Sequence, residues 1–522
     1  MTSSDLWKRT ATELSALLAA KDVSAVEVAR AHFGRIAETD GELHAFVTVL
    51  GESALQAAAL ADEARARGRR GALLGLPISI KESLDMVGHA STLGCASRAS
   101  QRATSDAVVV ALARREGAII LGRTNLSQLN LYHEARNPLF GRTDNPFRRT
   151  HTPGGSSGGE ASAIASGMSP LGIGGDIGGS IRVPAHFCGI VGFKPTLDLW
   201  SNAGSNTALV GQEAIRGQTG PLARTVADAT LLFRALDPRS ASLLDPRVPP
   251  VDLAFRRGEL TGPCRVGVFE EGVHVAPSPA LRRALRRAAQ GLRAAGHEVV
   301  EIQLPGTEDA ILSYFAALSS DAGDRIAPVL EGGDVDPVLA ALRRTARLPD
   351  VARRTLARLA RLAGDSSAAA LLGVLGRKPV SELWRLTDEL RRYRSLLLAA
   401  MAKENVDALL CPPFATPALP HGKSQDFAIA GAFSMLFNVV QFPAGSVPVL
   451  RVRAEETVRP AAKGRFAKMA AEVDERSLGL PVGVQIVGKP WEDERVLALM
   501  GCIEASALGD PERPVTPVET FG

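Results

Sequence analysis

The sequence predicts a single α/β domain, built on a large mixed and twisted β-sheet with helices on both faces. Helical stretches alternate with short apolar runs of strand length over most of the 522 residues, which is the pattern of a sheet covered on both sides. Hydrophobic residues make up 45% and charged residues 22% of the chain, as in an ordinary globular protein. No Pro/Ser/Gly-rich linker and no internal repeat divides it.

The first part of the chain is predicted to be helical. Residues 1–70 should form a helical region that packs on the core, with residues 71–510 as the main domain. Helix start signals occur at Thr12 and Ser24, and Ser53–Gly68 has the composition of a helix. The elements expected next are a strand within Leu73–Ser83, a helix at Asp106–Glu116 and a buried strand at Ala118–Gly122.

The composition changes at residues 141–196, where Gly and Ser become frequent and loops are predicted to dominate. After Thr225 the alternation resumes, and a helical, basic insertion is expected at about residues 335–404. The remaining predicted elements are strands at Cys264–Phe269, His297–Ile302, Asp407–Cys411 and Leu480–Gly488, and helices at Ser278–Ala295 and Asp493–Ala507.

Charge is concentrated in one segment. The net charge is only +4, but residues 341–400 hold 12 Arg and 1 Lys against 5 acidic residues. A nucleic-acid-binding protein would carry a more general basic surface, so the sequence argues against a nucleic-acid partner. One local basic segment remains to be explained.

The cysteines and the N-terminus indicate the compartment. The five cysteines are far apart and form no CxxC pair, so they indicate neither a disulfide framework nor a zinc site. The N-terminal 30 residues carry charges every few positions and lack the apolar core of a signal peptide or membrane span. We therefore expect a cytoplasmic protein. The cysteines are Cys95, Cys188, Cys264, Cys411 and Cys502.

The Gly/Ser-rich segment Thr152–Thr196 has two interpretations. Gly-rich loops that lead into a helix can bind phosphate through backbone N–H groups, but neither the P-loop pattern nor GxGxxG in its strand–turn–helix context is present. The alternative is an acyl-transfer site, where backbone N–H groups face an exposed serine and stabilise an oxyanion. Ser180, preceded by Gly178 and Gly179, suits that arrangement because glycine permits close approach.

A serine nucleophile needs a base. His133, His151 and His186 lie in this region, but no Ser/His pairing is evident, and a polar or capping role is the simpler interpretation of each. Lys81 lies in the apolar run GLPISIKES, where burial would lower its pKa and keep the amine neutral. Taken alone, a lysine in such a place is more often an exposed charge at a strand end.

Four motifs resemble the amidase signature family in order and spacing: GLPISIKES, TPGGSSGGEASA, DIGGSIRVPA and GFKPT. The resemblance implies that Ser180 is the acyl nucleophile, that Ser156 is a bridging serine in a cis peptide bond, and that Lys81 is the base. It also implies an oxyanion hole formed by the N–H groups of Ile177, Gly178, Gly179 and Ser180.

The resemblance assigns supporting roles as well. Asp176 and Arg182 look like the family's polar pair that orients the loop, and Ser157 is interpreted as structural. One departure is visible, because this chain has Gly174-Gly175-Asp176 where the family commonly has GTD. That change removes a threonine hydroxyl but alters none of the three catalytic positions.

The likeness extends over most of residues 70–500 and is closest to the fatty-acid amide hydrolase branch. It rests on NPLFGRTDNPF, SELWRLTDELRRYR, AFSMLFNVVQFPAGSVPV and LPVGVQIVGKPWEDE. By this likeness Asn130 would offer its backbone carbonyl to the substrate, and Leu131 and His133 would line the acyl pocket. His133 is a departure, since the branch often has an aromatic residue there.

The basic segment fits the same comparison. In Ala352–Ala363 three leucines and three arginines fall on roughly opposite sides of a helix, and the apolar stretch Ala368–Val380 follows. A basic amphipathic helix beside an apolar turn is typical of an interfacial membrane contact, and it occupies the position of the membrane cap in the branch. We therefore predict that residues 352–380 bind weakly to a membrane surface. The alternative is a helix whose leucines pack on the core.

The sequence thus predicts an amidohydrolase of small-molecule amides with a hydrophobic acyl group, which needs neither cofactor nor metal. Two alternatives share the triad: the glutaminase subunit of a tRNA-dependent amidotransferase, and a carbamate or aryl-amide hydrolase. A non-catalytic binding protein is a third, although such proteins usually lose a triad residue. A homodimer is compatible with the sequence.

Overall fold

The computed structural model describes residues 3–252, 262–271, 274–424, 427–460 and 463–522. Eleven of its described strands form one sheet, in the order β1-β3-β2-β6-β8-β7-β12-β13-β11-β9-β10, and β4 and β5 pair separately. The strands are β1 (Phe46–Val49), β2 (Pro77–Lys81), β3 (Ile119–Thr124), β4 (Arg136–Asn137), β5 (Gly141–Arg142), β6 (Leu171–Asp176), β7 (Val191–Lys194), β8 (Gln218–Ala223), β9 (Arg265–Val268), β10 (Glu298–Glu301), β11 (Ala408–Cys411), β12 (Ala444–Arg451) and β13 (Pro481–Gly488).

Helices connect and cover these strands. The described α-helices are α1 (Ala11–Ala20), α2 (Ala25–Leu43), α3 (Gly51–Ala66), α4 (Val108–Arg115), α5 (Gly158–Ala165), α6 (Arg182–Phe187), α7 (Val226–Ala235), α8 (Pro238–Ser242), α9 (Pro279–Ala294), α10 (Thr307–Leu318), α11 (Ala327–Leu330), α12 (Pro337–Arg347), α13 (Asp350–Leu362), α14 (Ser366–Val374), α15 (Val380–Lys403), α16 (Ala432–Val439), α17 (Arg465–Glu475) and α18 (Asp493–Ala507). Across the described ranges, none is both long and apolar enough to span a bilayer.

The sheet is mixed, as predicted. β2 pairs in parallel with both β3 and β6, and β9 pairs in parallel with β10 and β11. The pairings of β6 with β8, of β7 with β8 and β12, and of β13 with β11 and β12 are antiparallel. All five residues of β2 are buried, as expected for a parallel strand covered on both faces.

The core lies on both sides of the sheet. In β11, Ala408 and Leu410 belong to one apolar cluster, whereas Leu409 and Cys411 belong to another. Because successive side chains of a strand point to opposite faces, the two clusters cover opposite faces. The first includes residues of α2, α3, α9 and α18, and the second includes residues of α10, α15 and α16. The prediction of a single α/β domain with helices on both faces is confirmed.

Several local predictions were wrong. The N-cap of α1 is Thr10, not Thr12, and Thr10 forms a capping box with Glu13. Thr12 instead donates its hydroxyl to Asp228 at 2.9 Å. Strand β1 falls in the region predicted to be helical, and it adds an antiparallel edge strand beside β3. Its pairing is a long-range contact, which helical composition around it does not reveal.

The Gly/Ser-rich stretch consists mainly of loops and turns, as predicted. Just over half of residues 141–196 lie outside helices and strands, although the stretch also contains α5, β6, α6 and β7. The glycines reflect close packing: a Cβ on Gly159, in α5, would lie 2.5 Å from the backbone N and O of Asn125. Gly159 therefore allows helix α5 to approach another backbone closely, and it does not break the helix.

Candidate active site

The candidate site lies where β2 and β6 end. The two strands are parallel neighbours, with Ser79 beside Gly172 and Ile80 beside Ile173. Their carboxyl ends therefore meet at one edge of the sheet and bring Lys81, the last residue of β2, close to Asp176, the last residue of β6. This placement follows from the register of the two strands.

Lys81, Ser156 and Ser180 come together at this edge. The Lys81 Nζ atom lies 2.5 Å from the Ser156 Oγ atom, and the peptide bond between Gly155 and Ser156 is cis. All three side chains line a cavity of about 250 Å³, named here the polar cavity. No histidine of the described residues lines it.

Backbone contacts fix the two serine loops relative to each other. The Ser157 N–H donates to the Ser180 carbonyl at 3.1 Å, and the Ser157 hydroxyl donates to the Gly175 carbonyl at 3.2 Å. Gly155 lies directly on another loop, since a Cβ there would be 2.5 Å from the backbone N and O of Glu134. Ser157 therefore joins the two loops.

Burial controls the charge of Lys81. The side chain is 1% exposed, and this burial lowers its pKa from 10.5 to about 7, against the opposing charges of Asp176, Glu160 and Glu82. A buried amine loses its hydration when charged, so the neutral form is favoured. The amine is therefore available as a base near neutral pH.

Sequence reasoning missed Glu160, a second buried titratable group whose charge interacts with that of Lys81. Its carboxyl group accepts hydrogen bonds from Ser79 Oγ at 2.6 Å and Thr124 Oγ1 at 2.8 Å. Burial raises its pKa to about 8, against those two bonds and the Lys81 charge. The signal was present, because Glu160 is the one charged residue in the motif TPGGSSGGEASA.

Asp176 and Arg182 form a fully buried ion pair at the base of the loop. Arg182 Nη2 lies 2.8 Å from Asp176 Oδ1, and Arg182 Nε lies 3.0 Å from Oδ2. Burial acts to raise the pKa of the Asp176 carboxyl, but the charge and hydrogen bonds of Arg182 hold it well below the usual range. The carboxylate also accepts from the Gly179 and Ile181 N–H groups, at 2.8 and 3.1 Å.

These bonds bear on the predicted oxyanion hole. The Gly179 N–H is directed to Asp176 Oδ1, so it is committed in this conformation to the carboxylate. The predicted donors that remain are the N–H groups of Ile177, Gly178 and Ser180. Gly179 has a φ of +103°, a conformation that favours glycine.

A second cavity, named here the apolar cavity, also opens at Ser180. Its volume is about 330 Å³, and its walls include the predicted pocket residues Asn130, Leu131 and His133. The far walls come from α10, α12 and α14 and are mainly aliphatic and aromatic: Phe315, Leu318, Leu339, Leu342, Leu371 and Leu372. Asn130 and Leu131 line both cavities.

His133 does not simply present a polar ring to the apolar cavity. Its ring packs edge-on against Phe414, with the centroids 5.5 Å apart, and Nε2 lies 3.0 Å from the Gly178 carbonyl oxygen. Burial lowers its pKa. The other two histidines bond to backbone or a neighbouring hydroxyl, His186 to Thr416 and Gly483 and His151 to Thr150.

Comparisons with known proteins agree on one family. A family model described as Amidase matches residues 27–497. Fatty-acid amide hydrolase 1 of Sus scrofa is 38% identical over 448 residues, which are 83% of this chain and 76% of that protein. A glutamyl-tRNA(Gln) amidotransferase subunit of Acidothermus cellulolyticus is 34% identical over 518 residues, 96% and 95% of the two chains. A solved structure of a fatty acid amide hydrolase superposes with a TM-score of 0.82 at 25% identity, covering 98% of this chain and 87% of that one.

The burial of Lys81 predicts a pH-dependent effect on stability. Lowering the pKa from 10.5 to about 7 costs the folded state roughly 5 kcal/mol, at about 1.36 kcal/mol per pH unit. The whole cost is present below pH 7 and it shrinks as the pH rises toward 10.5. Lys81→Met should therefore raise the melting temperature, and more at pH 6 than at pH 9.5.

Differential scanning calorimetry at the two pH values measures this difference. Lys468→Met, which replaces an exposed lysine, is the control and should show no such pH dependence. An equal gain for Lys81→Met at both pH values would contradict the burial of a titrating amine.

Proposed function

This chain belongs to the amidase family, as its motifs predict, and is an amide-cleaving hydrolase; we propose that Ser180, Ser156 and Lys81 perform the cleavage. The observation that carries this proposal is the 2.5 Å contact between Lys81 Nζ and Ser156 Oγ in a buried site. Ser180 lines the same cavity, so a neutral lysine beside Ser156 would provide a path for a proton from Ser180.

The first half of the reaction forms an acyl-enzyme. Neutral Lys81 takes the proton of Ser156, Ser156 takes that of Ser180, and Ser180 Oγ attacks the carbonyl carbon. The resulting oxyanion accepts hydrogen bonds from the N–H groups of Ile177, Gly178 and Ser180. When the carbon–nitrogen bond breaks, the proton returns from Lys81 through Ser156 to the departing nitrogen, which leaves as a neutral amine.

Water completes the cycle. It attacks the acyl carbon while the same relay, through Ser156 to Lys81, removes its proton. Collapse of the second tetrahedral intermediate releases a carboxylic acid and returns the proton to Ser180. Lys81 starts and ends each half-reaction neutral, which is why its lowered pKa matters.

The two cavities suggest which half of the substrate goes where. The apolar cavity would hold a hydrophobic acyl group, because its walls on α10, α12 and α14 are mainly apolar. The polar cavity would hold the amine half, since Asn202, Asn206, Gln212 and Arg216 line it. Ser180 lines both cavities, so the scissile bond would lie between them.

The glutaminase subunit is the competing proposal, and the similarity to a glutamyl-tRNA(Gln) amidotransferase subunit over 96% of the chain favours it. Glutamine carries an ammonium and a carboxylate, and charges of this kind are costly to bury without partners. An apolar cavity that opens at Ser180 suits an acyl chain better. A carbamate or aryl-amide hydrolase would use the same three residues and differ only in substrate.

The catalytic assignment predicts that activity is lost when Ser180 is replaced but not when a neighbouring serine is replaced. Ser180→Ala should abolish labelling by a fluorophosphonate probe and reduce amide hydrolysis by at least about 10³-fold, because no other group would form the acyl-enzyme. Gel fluorescence and an anilide assay measure the two effects. Ser157→Ala, which removes the neighbouring hydroxyl, should retain labelling; equal labelling of wild type and Ser180→Ala would reject the assignment.

The cavity assignment predicts a preference for long acyl groups. For p-nitroanilides from acetyl to decanoyl, kcat/KM should rise with chain length, whereas glutamine should release no ammonia. Ala368→Phe, which fills part of the apolar cavity, should reduce the decanoyl rate about tenfold or more and spare the acetyl rate. Ala340→Phe, in the same helical insertion but outside the cavity, is the control. Glutaminase activity with no effect of chain length would favour the amidotransferase role.

We also propose a peripheral membrane contact through residues 352–380. On α13, Leu356, Leu359 and Leu362 are 43%, 56% and 85% exposed, which opposes the alternative that they pack on the core. Arginines at 354, 358 and 361 accompany them. Exposed leucines beside basic residues favour binding to anionic lipid surfaces.

This contact predicts flotation with anionic vesicles. The protein should co-float with phosphatidylcholine/phosphatidylglycerol liposomes at low salt and less at high salt, since arginine attraction is screened. A Leu356→Ser/Leu359→Ser/Leu362→Ser variant should lose most of the binding. Leu243→Ser/Leu244→Ser removes two exposed leucines elsewhere and should bind normally. No flotation of the wild type at low salt would reject the contact.

A further inference from the structure

Three successive carbonyl groups in the loop before Ser180 are each held by a distant side chain. Asn438 Nδ2 donates to the Asp176 carbonyl at 3.1 Å. Tyr314 Oη donates to the Ile177 carbonyl at 3.2 Å, and His133 Nε2 lies 3.0 Å from the Gly178 carbonyl. The three donors lie on α16, on α10 and in the loop after β3.

The protonation state of His133 follows from its acceptor. A carbonyl oxygen only accepts hydrogen bonds, so Nε2 must carry the proton. Burial lowers the pKa of this ring, which keeps it neutral. The ring is thus held as the Nε2–H tautomer by the Gly178 carbonyl.

Each of these bonds also sets the direction of an N–H group. In a planar trans peptide the carbonyl of one residue and the N–H of the next point in opposite directions. Holding the Asp176 and Ile177 carbonyls therefore orients the N–H groups of Ile177 and Gly178. The peptide between Gly178 and Gly179 is held at both ends, because its carbonyl contacts His133 and its N–H donates to Asp176 Oδ1.

The loop is pressed closely against these partners. A Cβ on Gly178 would lie 2.4 Å from the Tyr314 Oη atom, and a Cβ on Gly179 would lie 2.7 Å from the Ser434 Cβ atom. Tyr314 and His133 are 5% and 6% exposed. A side chain at either glycine would force the loop or its partners to move, so glycine allows the loop to lie this close to the buried donors.

We propose that Tyr314 and His133 are positioning residues for the reaction at Ser180: the Tyr314 bond directs the Gly178 N–H toward the developing oxyanion, and the His133 bond holds the Gly178–Gly179 peptide that follows it in the loop. The inference rests on the proposed function, which requires such a hole. Donors that are already oriented need no reorganisation as charge develops, and this is the main source of oxyanion stabilisation.

The alternative role for both residues is to form the wall of the apolar cavity, which they also line. The two roles affect different kinetic constants. A wall residue acts on the binding of any acyl ligand, whereas a positioning residue acts on species that carry an oxyanion. Asn438 is unsuited to this test, because it also binds Arg182 and the Asp176 carboxylate.

The test compares Tyr314→Phe, His133→Phe and His133→Gln with the wild type. Gln keeps an N–H donor at this position and Phe does not. We would measure kcat and KM for decanoyl p-nitroanilide, inhibition by a decyl trifluoromethyl ketone and by decanoate, and the rate of fluorophosphonate labelling. Tyr393→Phe is the matched control, because the buried Tyr393 hydroxyl has no hydrogen-bond partner within the described residues.

We expect Tyr314→Phe and His133→Phe to lower kcat roughly tenfold, the effect of about one hydrogen bond. Ketone affinity and labelling rate should fall by the same factor, because both depend on an oxyanion, while KM and decanoate inhibition stay within about twofold. His133→Gln should recover most of the loss, and Tyr393→Phe should match the wild type.

Two results would overturn this inference without affecting the proposed function. The first is that kcat, ketone affinity and labelling rate stay within about twofold of wild type in both Phe variants. The second is that the affinities for the ketone and for decanoate fall by the same factor. Failure of the proposed function is a separate result. If the wild type is not labelled at Ser180, the oxyanion hole itself is rejected, and the positioning role with it.

Discussion

The buried ion pair between Asp176 and Arg182 is the contact on which the rest of the site depends. Arg182 donates to Asp176, to the Gln485 side chain at 2.6 Å and to the Ser434 carbonyl at 2.9 Å, so one guanidinium ties β6 to β13 and α16. Asp176 in turn accepts from the loop that precedes Ser180. A buried pair of this kind adds little net stability against apolar residues of equal volume, but loss of either partner leaves an uncompensated charge. Its role is to fix the position of the loop.

Lys81 is the complementary case, a buried amine without a dedicated carboxylate partner. Its closest bond is to a neutral hydroxyl, and burial outweighs the attraction of three nearby acids. Lys194, also fully buried, has its pKa lowered to about 7 by burial and by Arg182, and it donates to two backbone carbonyls. The same low-dielectric surroundings that keep Asp176 ionised through Arg182 thus keep Lys81 poised to be neutral. The large apolar clusters on both faces of the sheet offset the cost of this arrangement.

The proposed binding of the acyl group involves a different part of the molecule. The loop before Ser180 forms one border of both cavities, whereas α10, α12 and α14 form the far walls of the apolar cavity. Under the proposed function the acyl group would contact these helices, while the sheet edge that holds Lys81 and Asp176 would carry the chemistry.

The sequence by itself determined the fold class, the family and the positions of Lys81, Ser156 and Ser180, because short motifs and alternating apolar runs are local features of the chain. It also placed α18 at Asp493–Ala507 without error. It did not reveal that glycines at residues 155 and 159 mark close packing against Glu134 and Asn125, and it missed β1, whose partner β3 is distant in sequence. Only the tertiary structure decided that Glu160 is buried against Ser79 and Thr124, that the Gly179 N–H is committed to Asp176, and that Tyr314 and His133 reach the loop before Ser180. These contacts join residues far apart in the chain, and their distances depend on strand register and helix packing, which no local pattern encodes.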